Sequence, residues 1–223
     1  MLKTATLQID IASDIVCPWC YIGKRRLEQA LALFAKKHPD QTAPHIRWLP
    51  FQLNPTLPAE GMSRADYLQR KFGSADGGGI YERVSAEGKK EGLDFDFKSI
   101  ARQPNTLRAH ALVAAALPLG VQGVVKEALM KAYFCEGADL TQDATLQRIA
   151  AQAGMPAEAA HAILSDTASH QNIAAQDEEL RRIGISGVPF FIINRSIDVS
   201  GAQPPEALLS AMEQALSSLA QAK

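Results

Sequence analysis

Apolar and polar positions alternate along Leu7-Gln8-Ile9-Asp10-Ile11-Ala12, the period of a β-strand. Further on the period changes. Leu27, Ala30, Leu31 and Phe34 recur at helical spacing, which predicts a helix over the residues from Gly23 onward. His38-Pro39-Asp40 breaks it, and His45-Ile46-Arg47-Trp48-Leu49-Pro50-Phe51-Gln52-Leu53 reads as a second strand. Pro50 cannot donate to a ladder, so it marks an edge or a bulge. Asn54-Pro55-Thr56-Leu57-Pro58 ends the strand. Strand, helix, strand is the unit expected of a parallel pair joined by a crossover helix.

From Ser63 to about Leu164 nearly all signals are helical. Ser63-Arg64-Ala65-Asp66 has the form of an N-cap turn with an acid three residues on. Gly77-Gly78-Gly79 reads as a flexible joint. It is no phosphate loop, because no Gly-Lys-Ser/Thr follows and no strand precedes it. Helices are expected over Ile80–Glu91, Asn105–Leu117, Val124–Glu136, Asp143–Ala153 and from Met155-Pro156 to about Leu164. Leu93-Asp94-Phe95-Asp96-Phe97 alternates but is short and isolated. After a further helix over Asn172–Ile183, strand signals return. Phe190–Ile193 and Ile197–Ser200 form a hairpin about Asn194-Arg195-Ser196, and Pro204–Ala220 closes the chain as a helix. The order is βαβ, a helical block, then αββα.

Composition narrows the class. The 223 residues are 47% hydrophobic, ample for a real core, and the net charge is −1 from 23 basic and 24 acidic residues. That balance makes no electrostatic case for nucleic acid or an anionic membrane. No apolar run is long enough for a transmembrane helix. Met1–Asp10 lacks the apolar run and cleavage site of a signal peptide, so an intact start and a cytoplasmic, reducing compartment are expected. Three cysteines in a chain this long do not make a secreted disulfide scaffold.

Two of those cysteines carry the chemistry. Cys17-Pro18-Trp19-Cys20 follows the first strand and heads the first helix. Proline at a first helical position is tolerated because that N–H has no partner anyway. Cys17 therefore falls at the N-cap, where unpaired N–H groups and the helix dipole favour a thiolate. Cys20 lies one turn inside and is close enough to close a disulfide, the equipment for dithiol–disulfide exchange. Half of a zinc site and a pair of buried, inert thiols are the competing readings. A structural site needs four ligands, and neither Cys135 nor the five histidines supply a second tight pair, so no metal is expected.

These motifs, taken in order, carry a resemblance. Ser13-Asp14-Ile15-Val16-Cys17-Pro18-Trp19-Cys20-Tyr21-Ile22-Gly23, Pro50-Phe51-Gln52-Leu53-Asn54-Pro55, Asn105-Thr106-Leu107-Arg108-Ala109-His110, Ala132-Tyr133-Phe134 with Glu136-Gly137, Gly187-Val188-Pro189-Phe190-Phe191 and Ser200-Gly201-Ala202-Gln203-Pro204 span nearly the whole chain. The chain resembles the DsbA family of thioredoxin-fold oxidoreductases, and within it the FrnE-like branch. The resemblance implies an α/β thioredoxin fold with a large all-helical insertion. Residues 1–60 and 168–223 would form the thioredoxin-like domain and 61–167 the insertion. It implies a thiol–disulfide oxidoreductase with Cys17 as nucleophile and Cys20 as resolving thiol. Pro189 would be a cis-proline facing the pair, and Pro18, Trp19, Val188 and Pro189 would bind substrate. Val188 would offer its backbone to an extended substrate as an added strand. Substrates would be thiol- or disulfide-containing proteins or small molecules, with no cofactor beyond the Cys17–Cys20 disulfide and with glutathione as a co-substrate.

Two departures bear on this. Pro18-Trp19 stands where the strongly oxidising periplasmic members have Pro-His, so no nearby side-chain cation holds the thiolate. Cys135 lacks the CxxxxC partner of some FrnE-like proteins, and reads either as a buried inert thiol or as a third redox thiol. Asp14 reads as a turn former or as a proton acceptor for Cys20. His110 reads as a core histidine or as one facing the cysteines, and Asn105 as an N-cap or a site residue. Two other functions stay open. A glutathione-dependent isomerase or transferase of the 2-hydroxychromene-2-carboxylate isomerase type would hold glutathione with Asn54 and the backbone of Val188, although such enzymes typically carry serine at the position of Cys17. A redox-linked peptide binder or chaperone would use the helical block to cap an apolar groove.

Overall fold

The computed structural model describes residues 6–77 and 79–221. Gly78, within the expected glycine joint, and the first five residues of Met1–Asp10 lie outside the described residues. In chain order the elements are β1 (Gln8–Ser13), α1 (Pro18–Lys37), β2 (His45–Pro50), β3 (Met62–Ser63), α2 (Arg64–Phe72), α3 (Ile80–Lys90), β4 (Arg102–Gln103), α4 (Leu107–Ala115), α5 (Gln122–Glu136), α6 (Asp143–Gln152), α7 (Ala157–Ser165), α8 (Thr167–Arg182), β5 (Phe190–Ile193), β6 (Ile197–Ser200) and α9 (Pro205–Gln221).

The main sheet runs β2-β1-β5-β6. β1 and β2 are parallel, while β1–β5 and β5–β6 are antiparallel. Strand alternation divides its faces. Ile9, Ile11, Trp48, Phe191 and Ile193 point into the large core with α1 and α9. Ala12, Leu49, Phe190 and Ile192 point the other way, into a smaller cluster closed by Leu180 of α8, Phe51 and Ile185. Pro50 ends β2, an edge strand, as its missing N–H requires. At the hairpin tip Asn194 and Arg195 take positive φ, and the Asn194 side chain accepts a hydrogen bond from the Gln8 N–H at 2.8 Å.

Between β2 and α8 lies the helical block, in which α4 packs on α5, α7 and α8. Its capping follows the sequence at Ser63, whose Oγ accepts from the Asp66 N–H at 3.1 Å. Elsewhere the boundaries differ from expectation. The insertion is not all-helical, because β3 and β4 form a two-residue antiparallel ladder. Such a short pair leaves no periodic signal. The α4 helix starts at Leu107 rather than Asn105, because the Asn105 side chain accepts from the Leu107 N–H at 2.9 Å. The α8 helix starts at Thr167 rather than Asn172, capped by Asp166. Phe95 and Phe97 belong to no strand and pack with Phe134 in an aromatic cluster, Phe95 also meeting Tyr21 and Phe97 also meeting Tyr81.

Candidate active site

Cys17 is the N-cap residue of α1, with extended backbone, and Pro18 takes the first helical position. Its carbonyl accepts from the Cys20 and Tyr21 N–H groups at 3.0 and 3.3 Å, which starts the helix. The Cys17 thiol points at the carbonyl oxygen of Val188, 3.7 Å away. The next peptide, Val188–Pro189, is cis. Gly23 on α1 faces Pro189 so closely that a β-carbon there would come within 2.9 Å of Pro189 Cγ. The motif ends in glycine because the proline loop occupies that space.

Cys17 is only 4% exposed, so solvent reaches it less freely than its place at a helix start suggests. Cys20 is fully buried, and both cysteines are free thiols. Burial, then the hydrogen bond to Cys17, pushes the Cys20 thiol well above the ordinary cysteine range. Pro18 and Trp19 stay partly exposed, and Trp19 lines a surface cavity of about 600 Å³ with Ile80, Arg83 and Val84 of α3.

Asp14 is buried beneath this turn. Its Oδ2 accepts from the Leu53 N–H at 2.7 Å, and its Oδ1 lies 3.2 Å from His110 Nε2. Burial alone would raise this carboxyl, but the His110 contact and the Leu53 N–H outweigh it and hold it below its ordinary range. His110 is thus bonded to Asp14, and Asn105 ties neighbouring segments together. Asn105 accepts from Gln52 Nε2 at 3.1 Å and donates to the Leu57 carbonyl at 2.7 Å. Asn54 sits farther out, its amide 3.4 Å from the Tyr67 hydroxyl. The Gln52-Leu53 segment is held on both sides, because Asp177 takes the Gln52 N–H at 3.0 Å. Cys135 on α5 is half-buried, its thiol raised first by burial and then by Glu136.

Sequence reasoning passed over Lys126. It is 0% exposed, its Nζ has no hydrogen-bond partner, and it lies 5.1 Å over the Trp48 ring. Burial lowers it to about 8, partly offset by its attraction to Cys20, Asp14 and Cys17. The available signal was positional. Lys126, Leu129 and Tyr133 share one helical stripe, and the other two read as inward. The neighbouring Glu127 anchors a separate surface network. It accepts from Tyr21 Oη at 2.6 Å and pairs with Arg25 and with Lys24 Nζ, the latter at 2.6 Å. Among the described residues no group of three His, Cys, Asp or Glu side chains is arranged to hold a metal ion. No described helix is long and apolar enough to cross a membrane.

Known proteins share this fold. A probable DsbA oxidoreductase from Streptomyces coelicolor superposes with a TM-score of 0.83 at 31% identity, over 95% of this chain and 90% of that one. The cytosolic disulfide reductase DsbM from Pseudomonas aeruginosa, solved with glutathione, gives a TM-score of 0.59 at 17% identity, over 96% and 98%. A 2-hydroxychromene-2-carboxylate isomerase gives 0.65 at 15% identity, over 97% and 99%. At such low identity the last two speak for the fold alone. The family model described as a DSBA-like thioredoxin domain matches residues 8–213, which takes in both cysteines, the proline loop and the whole helical block. With the four-stranded sheet and its helical insertion, that match makes the chain a member of the DsbA-like thioredoxin-fold family.

Proposed function

We propose that the protein is a thiol–disulfide oxidoreductase working through Cys17 and Cys20. The observation that carries this is the thiol pair itself: Cys17 at the head of α1 against the Val188 carbonyl, Cys20 one turn below. In the reducing direction Cys17 thiolate attacks a substrate disulfide. A Cys17–substrate S–S bond forms, the substrate S–S bond breaks, and one substrate sulfur leaves as thiolate. Cys20 then attacks Cys17, the mixed disulfide breaks, and the second substrate sulfur leaves as thiol. The substrate gains two electrons and the pair ends as a disulfide. Two glutathione molecules return it to the dithiol and leave as glutathione disulfide. Pro18, Trp19 and the Val188-Pro189 backbone receive the substrate as an added strand. The reaction fits a cytoplasmic setting, where glutathione keeps thiols reduced.

The test is turbidimetric insulin reduction with glutathione as reductant, comparing wild type with Cys17→Ser. Loss of activity in the variant is expected, and equal rates would sink the proposal. A glutathione-dependent isomerase, favoured by the shared fold of the isomerase relative, is the second reading. Calorimetric titration separates the two. Tight non-covalent glutathione binding that survives Cys20→Ser favours the isomerase.

A further inference from the structure

Nothing in a thiol-exchange cycle requires a lysine inside the core, yet the chain keeps one. Lys126 comes from α5, in the helical block, and not from α1, which carries the cysteines at its start. Among the described residues its ammonium has no hydrogen-bond acceptor, and its ring contact is with Trp48. Gln122, one turn earlier, locks the same strand. It accepts from the Trp48 N–H at 2.9 Å and donates to the Trp48 carbonyl at 3.0 Å. The α5 helix is thereby fixed against β2, and the lysine is held in place. A buried, unpaired cation is costly unless a negative charge appears near it. The charged and titratable groups that act on it most strongly are Cys20 and Lys24 of α1, Cys17 at the α1 N-cap and Asp14 from the β1–α1 turn. Asp14 is already engaged by Leu53 and His110, and Lys24 is paired with Glu28 and Glu127. The remaining partner is the cysteine pair.

Resting on the thiol-exchange reading above, we infer that Lys126 is a positioning residue for the resolving step, its ammonium stabilising the Cys20 thiolate as that sulfur attacks the mixed disulfide. The step balances without an added reagent. Cys20–SH and Cys17–S–S–R become the Cys17–Cys20 disulfide and R–SH, the proton of Cys20 ending on the departing sulfur while Lys126 keeps its own. Lys126 opposes the rise imposed on Cys20 by burial and by Cys17, as does a backbone hydrogen bond at Asp14. A nearby cation lowers a thiol pKa by about one to three units, and roughly half of that gain in thiolate is given back as lower nucleophilicity. The net acceleration of the resolving step is therefore about tenfold.

The aromatic disulfide 5,5′-dithiobis(2-nitrobenzoate) reads both steps by stopped flow, in a Cys135→Ser background. The first release of coloured thiolate reports attack by Cys17 and depends on reagent concentration. The second reports resolution by Cys20 and does not. In Lys126→Met the first phase is expected to stay within about twofold of wild type and the second to slow about tenfold near pH 6.5. Because Lys126 titrates near 8, the wild-type advantage should shrink as pH rises through that value and vanish about two units above it. Lys126→Arg, which does not titrate, should restore the second phase and keep its lead at high pH. If the methionine variant does not fold, the arginine variant carries the test, its lead over wild type growing above pH 8. A second phase unchanged in Lys126→Met, or slowed equally at every pH, overturns the inference. Absence of a first phase in wild type would instead defeat the thiol-exchange reading itself.

Discussion

Gly23 and Pro189 touch across 166 residues of chain, closely enough that one added methyl group on Gly23 would stand 2.9 Å from Pro189 Cγ. A helix interior ordinarily gains about 1 kcal/mol when glycine becomes alanine. Here the methyl meets the ring of the proline loop, with Phe191 3.5 Å behind it. Overpacking of this kind costs about 1–3 kcal/mol. Gly23→Ala is therefore expected to leave stability unchanged or lowered by up to about 2 kcal/mol. Insulin reduction should fall about tenfold, because a 1 Å misplacement of the loop costs more in rate than in stability. Thermal melts and turbidimetry on the same preparation check it, and full activity would show that the loop yields freely.

Asp14 should act on stability through its charge. Its folded-state carboxyl lies below the ordinary value near 3.8, so its stabilisation is present above that value and is lost as pH falls through the lower folded one. Asp14→Asn removes the charge from a buried site that serves Leu53 and His110, which costs about 1–3 kcal/mol at pH 7. Urea unfolding at pH 7 and at about pH 3 should show the gap between variant and wild type closing at the acid end. A gap of equal size at both would assign the role to shape.

Lys126 predicts an inverse relation between stability and chemistry. Its folded pKa of about 8 lies below the 10.5 of a free lysine. The fold therefore carries the full penalty below pH 8 and sheds it as pH rises from there toward 10.5, since the unfolded chain then binds more protons. Lys126→Met should raise the midpoint of thermal unfolding at pH 7, by an amount equivalent to about 1–3 kcal/mol, and the gain should be smaller at pH 9.5. Destabilisation at pH 7 would mean that a partner's charge already compensates the ammonium in the resting protein.

The three thiols should separate under a brief iodoacetamide pulse near pH 6. Cys20 is fully buried and its thiol is pushed up by burial and by Cys17; Cys135 is raised by burial and by Glu136. Label should appear first on Cys17, as read by peptide mass mapping, and Cys20→Ala should trap a mixed disulfide there. Early label on Cys135 would reassign it as a redox thiol.

Much of this was legible from the chain. The strands of the main sheet were, because Ile9, Ile11, Phe191 and Ile193 alternate against a face that must be dry, and the CxxC turn was, because proline after a cap residue has one natural place. Lys126 was not, because a lysine between Val125 and Glu127 reads as solvent-facing until helix α5 is known to be covered on both sides. Leu93–Phe97 alternates like a strand but serves aromatic packing on Phe134, and period alone cannot tell these apart. The Asp14–His110 contact joins residues 96 positions apart, which no local pattern announces.

The core that fills the sheet also fills the block: Ile11, Trp48 and Phe191 belong to one hydrophobic cluster with Ala109, Leu112, Leu129, Tyr133 and Leu146. An engineer who excised residues 61–167 would not recover a minimal thioredoxin. The β2 edge of the sheet would lose its packing against α4 and α5, and Trp48 would lose both the glutamine that pins its backbone and the lysine above its ring. The CxxC turn and the helical block therefore share one packed interior, and variants that retune the proposed redox pair should be sought on α5 as readily as on the motif itself.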